Sequence, residues 1–558
     1  MAAFLASALW AIPLQAKNDR PSFHTKAFEN IPKNLNYFPD SDVVLFQDVD
    51  DNNVFRSEDS GVTWERVRDV PDGKAWMLYM HQFDPKRAYI LTEGTRHYRT
   101  SDRGKTWLSF DSGAEMSMFR PDILQFHASD PDRIIFNGMA CQGIFCQEVA
   151  MYTLDGFKSP AKTLRTNTDG CWWAKSSELF TTGSEDLDRN RILCIARDAF
   201  SPFKQDQRLV VSDNFFKSTS ESKDIQEFEP NLDTDKPVQG VVNVAAVKKW
   251  ILVATTSVNT DEMALFITGD TKKWHRAVFP TPRDSHDHRV FQEAYTVLES
   301  TNYSIQIDVM TTRPSNPMGI LFTSNSNGTF FTENIEHTNR NRHGHVDFEK
   351  ISGIQGIFLV NKVANWEEIE QKPGSRKKVV TEITFDDGRT FEDVTAEGKR
   401  IHLHSVTELN NVGRVFSSPA PGLVMAIGNT GDYLKDYWED GNLYVSDDAG
   451  KTWIKALDGP HKYEFGDQGS ILVAVRDSKE PDVDEINYSL DHGLTWKQEK
   501  LPDGLKIQPY ILTTTQESAS LKFILIGRTK KDPQWQVIAI DFEGLHEATC
   551  KDSDMEEW

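Results

Sequence analysis

The chain has 558 residues, of which 38% are hydrophobic and 26% are charged. This is a globular composition, in a chain long enough for several domains or for one large repeat architecture. The 62 lysines and arginines against 84 aspartates and glutamates leave a net charge of −22 at pH 7, which argues against nucleic acid as a partner because its phosphates would be repelled.

The N-terminal stretch MAAFLASALWAIPLQA is apolar and uncharged. It predicts a signal peptide over residues 1–16, with Ala16 as the last residue before cleavage. The basic residues that usually begin a signal are absent, so a buried N-terminal segment stays open as the alternative. No other stretch is apolar over the roughly 20 residues that span a bilayer, and the sequence therefore predicts a soluble domain in the lumen of the secretory pathway.

An eight-residue pattern, Ser/Thr-x-Asp-x-Gly-x-Thr-Trp/Phe, recurs along the chain. Its full copies begin at Ser57, Thr100, Thr384, Ser446 and Ser489. Degraded copies begin at Thr153, Ser212, Thr268 and Ser324, the last with Ser326 where Asp is expected. Successive copies are roughly 40 to 60 residues apart, which is the repeat length of propellers and similar arrays.

Each copy predicts a hairpin turn between two strands. The Asp carboxylate and the Ser/Thr hydroxyl bond to the turn, Gly supplies a positive φ, and the aromatic residue packs between adjacent sheets. A metal-binding loop is disfavoured, because the pattern lacks the ligand number of a calcium loop. In the full copies the residues with these structural roles are Asp59, Gly61, Trp64, Asp102, Gly104, Trp107, Asp386, Gly388, Phe391, Asp448, Gly450, Trp453, Asp491, Gly493 and Trp496.

The copies are flanked by short β-branched runs such as WILVATT and FILIGRT, which read as strands. Nine copies, with a tenth unit formed by residues 510–542, predict an all-β, ten-bladed propeller over residues 20–545. We expect N-terminal strands such as residues 43–49 to close the ring. Ten blades would leave a central tunnel wide enough for a peptide or a protein tail.

The cysteines and sequons suit the secretory lumen. Short spacings predict the disulfides Cys141–Cys146 and Cys171–Cys194, which leaves Cys550 without a partner in this chain. A zinc site is disfavoured because the spacings lack two close Cys/His pairs. We expect no metal and no other cofactor. The sequons place candidate glycans on Asn302, Asn327 and Asn487.

The polar stretch HTNRNRHGHVDF contains His337, His343 and His345. His343 and His345 would share one face of a strand and could hold a metal, whereas a polar loop at the rim of a blade is the simpler interpretation. A third use is as a pH sensor that gains charge as a compartment acidifies. The sequence leaves all three open.

A family resemblance is carried by the motif copies and by two longer stretches. These are LYVSDDAGKTWIKALDGPHKYEFGDQGSILVAV at 443–475 and VIAIDFEGLHEATCKDSDMEEW at 537–558. The chain resembles the luminal Vps10 domain of sortilin-type sorting receptors. The resemblance implies a ten-bladed propeller followed by cysteine-rich modules, whose start would be residues 546–558 with Cys550. The membrane span and the cytosolic tail of such type I membrane proteins would lie beyond this chain.

The resemblance also implies a function without catalysis. The chain would bind soluble vacuolar or lysosomal hydrolase precursors, such as a carboxypeptidase-Y-like precursor, in the late Golgi for transport to endosomes; a homodimer stays open. The arginine that holds a peptide carboxylate in sortilin-type members falls on Met263, which cannot form the bidentate pair. A broader contact surface therefore fits better than capture of a free C-terminus. The implied contacts, with blade core as the alternative role, are Leu252, Ala254, Met263, Leu265, Tyr295, Thr296 and Val297.

The competing hypothesis is an Asp-box glycoside hydrolase of the sialidase type. The Arg-Ile-Pro signature of that class is missing, and the nearest string is FRPDI at 119–123. A glycosidase also needs two carboxylates at a set separation, and the sequence singles out no such pair.

Overall fold

The computed structural model of the protein describes residues 20–545 apart from 118–119, 121, 143–144, 198–205, 219–225, 233–237, 257–262, 281–294, 301–302, 313–314, 373, 408–417, 516–517 and 531–533. The predicted signal peptide, the predicted module at 546–558 with Cys550, and the sequon at Asn302 lie outside the described residues.

The described residues form nine sheets whose strands run almost wholly antiparallel, so the predicted all-β class is confirmed. Sheet 1 consists of Pro32–Tyr37, Val44–Asp48, Asn53–Ser57 and Glu65–Arg66. Sheet 2 consists of Met77–Met80, Ala88–Leu91, Arg96–Thr100 and Leu108–Asp111. Sheet 3 consists of Glu115–Met116, Leu124–Phe126, Ile134–Gln142, Phe145–Thr153 and Lys162–Thr166.

Sheet 4 consists of Thr168–Trp173, Ile192–Ala196 and Arg208–Ser212. Sheet 5 consists of Val241–Val247, Trp250–Thr256, Met263–Thr268 and His275–Arg276. Sheet 6 consists of Tyr295–Ser300, Ile305–Met310, Met318–Ser324, Phe331–Asn339, Phe348–Lys350, Phe358–Val363, Val379–Thr384 and Glu392–Asp393. Sheet 6 thus has eight strands. Its first half ends at Asn339 and its second half begins at Phe348, and the two halves are joined by the single pair of Thr338 with Lys362.

Sheet 7 consists of Thr395–Ala396, Lys399–Leu403, Val424–Thr430, Asn442–Ser446 and Thr452–Leu457. Sheet 8 consists of His461–Gly466, Ile471–Arg476, Glu485–Ser489 and Lys497–Lys500. Sheet 9 consists of Ile507–Thr513, Lys522–Thr529, Trp535–Asp541 and Ser22–Phe28. The short α-helices are Glu185–Asn190, Trp366–Gln371 and Tyr437–Asp440, and the 3-10 turns are Asp467–Gly469, Pro502–Gly504 and Glu543–Leu545.

The N-terminal strand Ser22–Phe28 closes the fold by pairing antiparallel with Trp535–Asp541 over its whole length. The prediction that residues 43–49 would make this closure is wrong, because Val44–Asp48 is an inner strand of sheet 1. Ser22–Phe28 is the outermost strand of its sheet and most of its side chains are exposed. It therefore lacks the apolar run by which a strand is recognised in a sequence.

The apolar core is divided into clusters that each lie between neighbouring sheets. Between sheets 9 and 1, Ile524 and Val537 pack with Val44 and Phe46. Similar clusters lie between each of the other pairs of consecutive sheets. Another, with Leu321 and Phe358, lies between the two halves of sheet 6. Sheets that pack face to face in a closed series form a β-propeller.

The motif that begins at Ser57 shows how the hairpins are held. The Ser57 hydroxyl accepts a hydrogen bond from the Gly61 amide (2.8 Å), and the Asp59 carboxylate accepts from the Thr63 amide (2.8 Å) and hydroxyl (2.6 Å). The Trp64 indole N–H donates to the Gly61 carbonyl at 2.9 Å. Burial alone would raise the pKa of Asp59, but the hydrogen bonds from Thr63, Ser57 and the Asp59 backbone amide together outweigh it and lower that pKa. The copies at Thr100, Ser446 and Ser489 make the same set of bonds.

Two degraded copies replace the motif glycine by phenylalanine. Phe157 and Phe216 stand at that position with φ of 61° and 55°, the left-handed region that a bulky residue rarely adopts. Both rings are buried in the clusters between sheets, where Trp64 and Trp107 lie in full copies. These copies lack the Trp of the pattern, so the Phe side chain fills the same space from a different backbone position.

The copy that begins at Ser324 uses a different acceptor from the one its alignment suggests. The side-chain oxygen of Asn325, rather than Ser326, accepts from the Thr329 amide at 2.9 Å. The polar side chain is therefore retained, one residue earlier in the chain.

The predicted disulfides Cys141–Cys146 and Cys171–Cys194 are both present. Each joins residues that lie opposite one another on neighbouring strands, in sheets 3 and 4. Both disulfides link strands within one sheet, and Cys171 and Cys194 also belong to the apolar cluster between sheets 3 and 4.

Candidate functional site

The residues that the sequence singled out for ligand contact lie on sheet 5 and on the first half of sheet 6. Ala254 pairs with Leu265 across two strands of sheet 5, and Thr256 pairs with Met263. Tyr295, Thr296 and Val297 begin the first strand of sheet 6. We call these residues the candidate contact set: Leu252, Ala254, Met263, Leu265, Tyr295, Thr296 and Val297.

Burial divides the candidate contact set into two groups. Leu252, Leu265 and Met263 are only 3%, 4% and 9% exposed. Leu252 and Leu265 belong to the cluster between sheets 5 and 6, so they are core residues. The other four members are half-buried and reach the surface in part. Any direct contact with a ligand therefore falls to Ala254, Tyr295, Thr296 and Val297.

Tyr295 is held rigidly at the seam between these two sheets. Its hydroxyl donates to the Met263 carbonyl oxygen at 3.1 Å, and its ring stacks on Phe279 with 5.8 Å between centroids. Burial raises the pKa of Tyr295 to about 12, so the phenol stays protonated and remains a donor. A fixed aromatic ring with a polar tip is a suitable anchor for a protein ligand.

The Met263 side chain has an apolar environment. It packs against Met310, with Val242, Ala254 and Tyr295 around the pair. A thioether among such neighbours supplies no charge to a carboxylate, in agreement with the sequence comparison at this position.

Thr296 is tied to a buried ion pair that the sequence analysis missed. Its hydroxyl donates to the Gly344 carbonyl at 2.9 Å and accepts from Arg340 at 3.2 Å. Arg340 Nη1 lies 2.6 Å from Asp308 Oδ1, and the two side chains are 1% and 0% exposed. Burial raises the pKa of Asp308, while Arg340 and the Thr338 hydroxyl act against that rise. In the sequence, the sign of this ion pair was Asp308, a charged residue inside the otherwise apolar strand IQIDVM.

Two acidic residues, Asp347 and Glu349, form a buried carboxyl pair next to sheet 7. The Asp347 carboxyl accepts from the Asn339 amide at 2.7 Å and from the Thr407 backbone amide at 2.9 Å. The Ser405 hydroxyl donates to Glu349. Burial raises the pKa of Asp347, and it raises the pKa of Glu349 to about 8, with the Ser405 bond lowering that value and Asp347 adding to it. The cavity beside the pair is only about 10 Å³.

The three histidines do not act as one cluster. His343 and His345 lie in a turn, where the side chain of Asn341 contacts both: its Oδ1 accepts from both backbone amides, and its Nδ2 lies 3.2 Å from the His345 ring. His337 lies on the preceding strand and stacks on Trp366. Within the described part of the chain, no three His, Cys, Asp or Glu residues are grouped so as to hold a metal ion.

The helices of the described residues are all too short, or too polar, to pass through a lipid bilayer. This finding concerns only the ranges given above.

Curated fungal proteins match the chain over its whole length. Vacuolar protein sorting/targeting protein 10 of Chaetomium globosum is 77% identical over 558 residues, which are 100% of this chain and 37% of that protein. The protein of the same name from Neurospora crassa is 68% identical over 557 residues, covering 100% of this chain and 36% of that protein. The chain therefore spans little more than a third of the length of these relatives.

Two solved structures give distant matches. The GH74 enzyme of Niastella koreensis matches with a TM-score of 0.32 and 12% identity, over 91% of this chain and 79% of that one. The β-propeller domain of the Trilobed protease from Pyrococcus furiosus matches with a TM-score of 0.26 and 10% identity, over 68% and 98%. Matches at this level have no bearing on the function of this chain.

Two family models cover nearly all of the sequence. The model for sortilin, neurotensin receptor 3, matches residues 52–512, and the model for its C-terminal part matches residues 514–558. The second match begins inside sheet 9, well before residue 546, at which we place the start of the cysteine-rich module. Because the first model covers more than half of the chain and the relatives are this similar, the chain belongs to the sortilin–Vps10 family.

Proposed function

We propose that this chain is the cargo-binding part of a vacuolar sorting receptor in the lumen of the late Golgi and endosomes. Its cargo would be soluble hydrolase precursors, such as a carboxypeptidase-Y-like proenzyme. The observation that carries the proposal is 77% identity, over 100% of the chain, to a protein named for vacuolar sorting. The polar side chains of the candidate contact set, Tyr295 and Thr296, are half-buried and already hydrogen-bonded to the backbone, which favours a binding role over catalysis.

The proposal is tested with purified proteins. We expect the immobilised chain to bind a carboxypeptidase-Y-like proenzyme and to bind the mature enzyme, without its propeptide, more weakly. Surface plasmon resonance at neutral and acidic pH measures both. If neither the proenzyme nor the mature enzyme gives a measurable binding signal at neutral or acidic pH, the cargo assignment is contradicted.

We further propose that the nine sheets form a ring of ten blades, with the two halves of sheet 6 as separate blades. Each half has four strands, and the cluster with Leu321 and Phe358 lies between the halves as other clusters lie between whole sheets. Electron-microscopy averages viewed along the ring axis would count the blades directly.

The glycoside hydrolase alternative has less support. A glycosidase needs two carboxyl groups that face a cleft large enough for a sugar ring. The buried carboxyl pair of Asp347 and Glu349 borders a cavity of about 10 Å³, which has room for about one water and none for a sugar ring. We expect a panel of aryl glycosides and sialosides to remain unhydrolysed.

Tyr295 is the member of the candidate contact set with the largest expected contribution to cargo binding. Replacing it by Ala removes a rigid aromatic anchor, and we expect cargo affinity to fall by about tenfold or more, or about 1.4 kcal/mol. The matched control is Tyr510→Ala, at an exposed tyrosine on sheet 9. Full affinity in a folded Tyr295→Ala protein would show instead that Tyr295 serves only the core.

Among the described sequons, we propose Asn327 as the glycan carrier. Asn327 is exposed in the hairpin that begins at Ser324, whereas Asn487 is 5% exposed within the strand Glu485–Ser489. In a secreting host, Asn327→Gln should remove the mass of one glycan and Asn487→Gln should leave the mass unchanged. A glycopeptide that contains Asn487 would contradict this assignment.

A further inference from the structure

A groove of about 780 Å³ opens where the last strand of the first half of sheet 6 meets the second half of that sheet and sheet 7. It is lined by side chains from Phe331–Asn339, from the start of helix Trp366–Gln371 and from strands of the two neighbouring units. We call it the acidic groove. It is separate from the candidate contact set and from the buried carboxyl pair, since it shares no residue with either.

The wall of the acidic groove contains two stacked rings. The His337 imidazole lies on the Trp366 indole, with 4.2 Å between ring centroids and 9° between planes. Burial lowers the pKa of His337, with Glu336 and Glu370 acting in the opposite direction. The ring is therefore neutral at neutral pH and packs as an aromatic surface.

A bulge directs His337 into this position. Thr338 pairs with Gly319 and Glu336 pairs with Ile320, so His337 is an extra residue between them. Its φ is +62°, a left-handed value that is uncommon outside glycine. Bulges of this kind re-aim a side chain, and here the result is the stacked wall of the groove.

The charges around the wall are mostly negative. Five carboxylates line the acidic groove, and only two cations accompany them: Glu333, Glu336, Glu382, Asp393 and Asp432, with Lys362 and Arg400. Lys362 pairs with Glu382, and Arg400 Nη2 lies 2.7 Å from Asp393 Oδ1. The lining therefore carries more carboxylates than cations beside the stacked rings, in a cavity large enough for several side chains.

We propose that the acidic groove binds an extended basic segment of a protein partner, through lysine or arginine side chains. Carboxylates give charge-assisted hydrogen bonds to such groups, and the stacked rings offer an apolar surface to the methylene stems of lysine and arginine. The proposal rests on the proposed function in one respect, namely that the partner is a cargo protein. It names the chemistry of a second contact, distinct from that at Tyr295.

The test uses a fluorescein-labelled peptide rich in Lys and Arg, and its counterpart with Glu at each basic position. Binding to the whole chain is followed by fluorescence anisotropy at low and at physiological salt. We expect the basic peptide to bind and to weaken as salt rises, and the acidic peptide not to bind. Trp366→Ala and Glu336→Lys should each weaken binding about tenfold, which corresponds to about 1.4 kcal/mol.

Matched control variants keep the result interpretable. Trp438→Ala changes a tryptophan of another short helix, and Glu65→Lys reverses an exposed charge on sheet 1; both should keep the affinity of the wild type. Trp366 also packs on Met318 and Val363, so Glu336→Lys decides the outcome if Trp366→Ala does not fold. Unchanged binding in Glu336→Lys, equal binding of the two peptides or no binding of the basic peptide would overturn the proposal.

A separate measurement distinguishes this proposal from the receptor assignment. If the proenzyme binds the wild-type chain but the basic peptide does not, only the acidic-groove proposal fails. If the basic peptide binds as expected and no proenzyme is retained, the groove is a basic-segment site and the cargo assignment fails.

Discussion

Replacing Glu349 by Gln should raise the free energy of unfolding at pH 8 and leave it nearly unchanged at pH 4. The Glu349 carboxyl is buried beside Asp347 and has one hydroxyl donor, Ser405. Burial raises its pKa to about 8, well above the value of about 4.3 in an unfolded chain. The folded protein therefore keeps a proton that the unfolded chain releases.

The sign of the pH dependence follows from this difference. The contribution of Glu349 to stability is fully present below pH 4.3, and it is lost as the pH rises towards 8. Gln carries no proton to lose, so the variant avoids this loss. The difference at pH 8 is expected to be on the order of 5 kcal/mol, because the two pKa values differ by about 3.7 units and each unit corresponds to about 1.4 kcal/mol.

Urea unfolding at a series of pH values measures the effect. Glu65→Gln, at an exposed position of sheet 1, serves as the control and should follow the wild type. If the wild type and Glu349→Gln keep a constant separation between pH 4 and pH 8, Glu349 is already ionised in the folded protein at low pH and the prediction is wrong.

Replacing Arg340 by Met should lower the free energy of unfolding by about 3–5 kcal/mol, the range for breaking one side of a buried ion pair. Arg340 and Asp308 are almost fully buried, and the variant leaves the Asp308 carboxyl without its cation. Burial already raises the pKa of Asp308, so the loss should grow as the pH rises and the solitary carboxyl must stay protonated.

A double-mutant cycle checks the origin of this loss. Asp308→Asn should also destabilise, and the double variant Asp308→Asn/Arg340→Met should lose much less than the sum of the single changes. Because Arg340 donates to Thr296, Arg340→Met should also weaken cargo binding. Additive losses in the cycle would mean that the two side chains contribute independently.

The parts of the fold that depend on neighbouring residues could be predicted from the sequence. The motif at Ser57 carries its own donors, acceptors and glycine within eight residues, so its hairpin is visible in the chain. The closing strand Ser22–Phe28 is not visible, because an outer strand exposed to water needs no apolar pattern. The pairing that defines it is with Trp535–Asp541, roughly 500 residues further along the chain.

The candidate site shows the same division. Alternation along a strand indicates that Leu252 and Ala254 share a face, but it does not say how deeply each one is buried. Leu252 and Leu265 are buried in the cluster between sheets 5 and 6, whereas Ala254 and Tyr295 pack against that cluster and are half-buried. The apolar strand around Asp308 indicates that this carboxyl needs a partner, but the identity of Arg340 as that partner and the bulge at His337 depend on packing between separate strands.

The pairing of Ser22–Phe28 with Trp535–Asp541 has a consequence for synthesis. The strand Ser22–Phe28 must wait for a partner that is translated roughly 500 residues later, which at about 5–20 residues per second takes of the order of a minute. During that interval the growing chain presents open strand edges at both ends of an unclosed arc. Such edges pair readily with other chains, so we expect the nascent chain to be most prone to aggregation until these two strands pair.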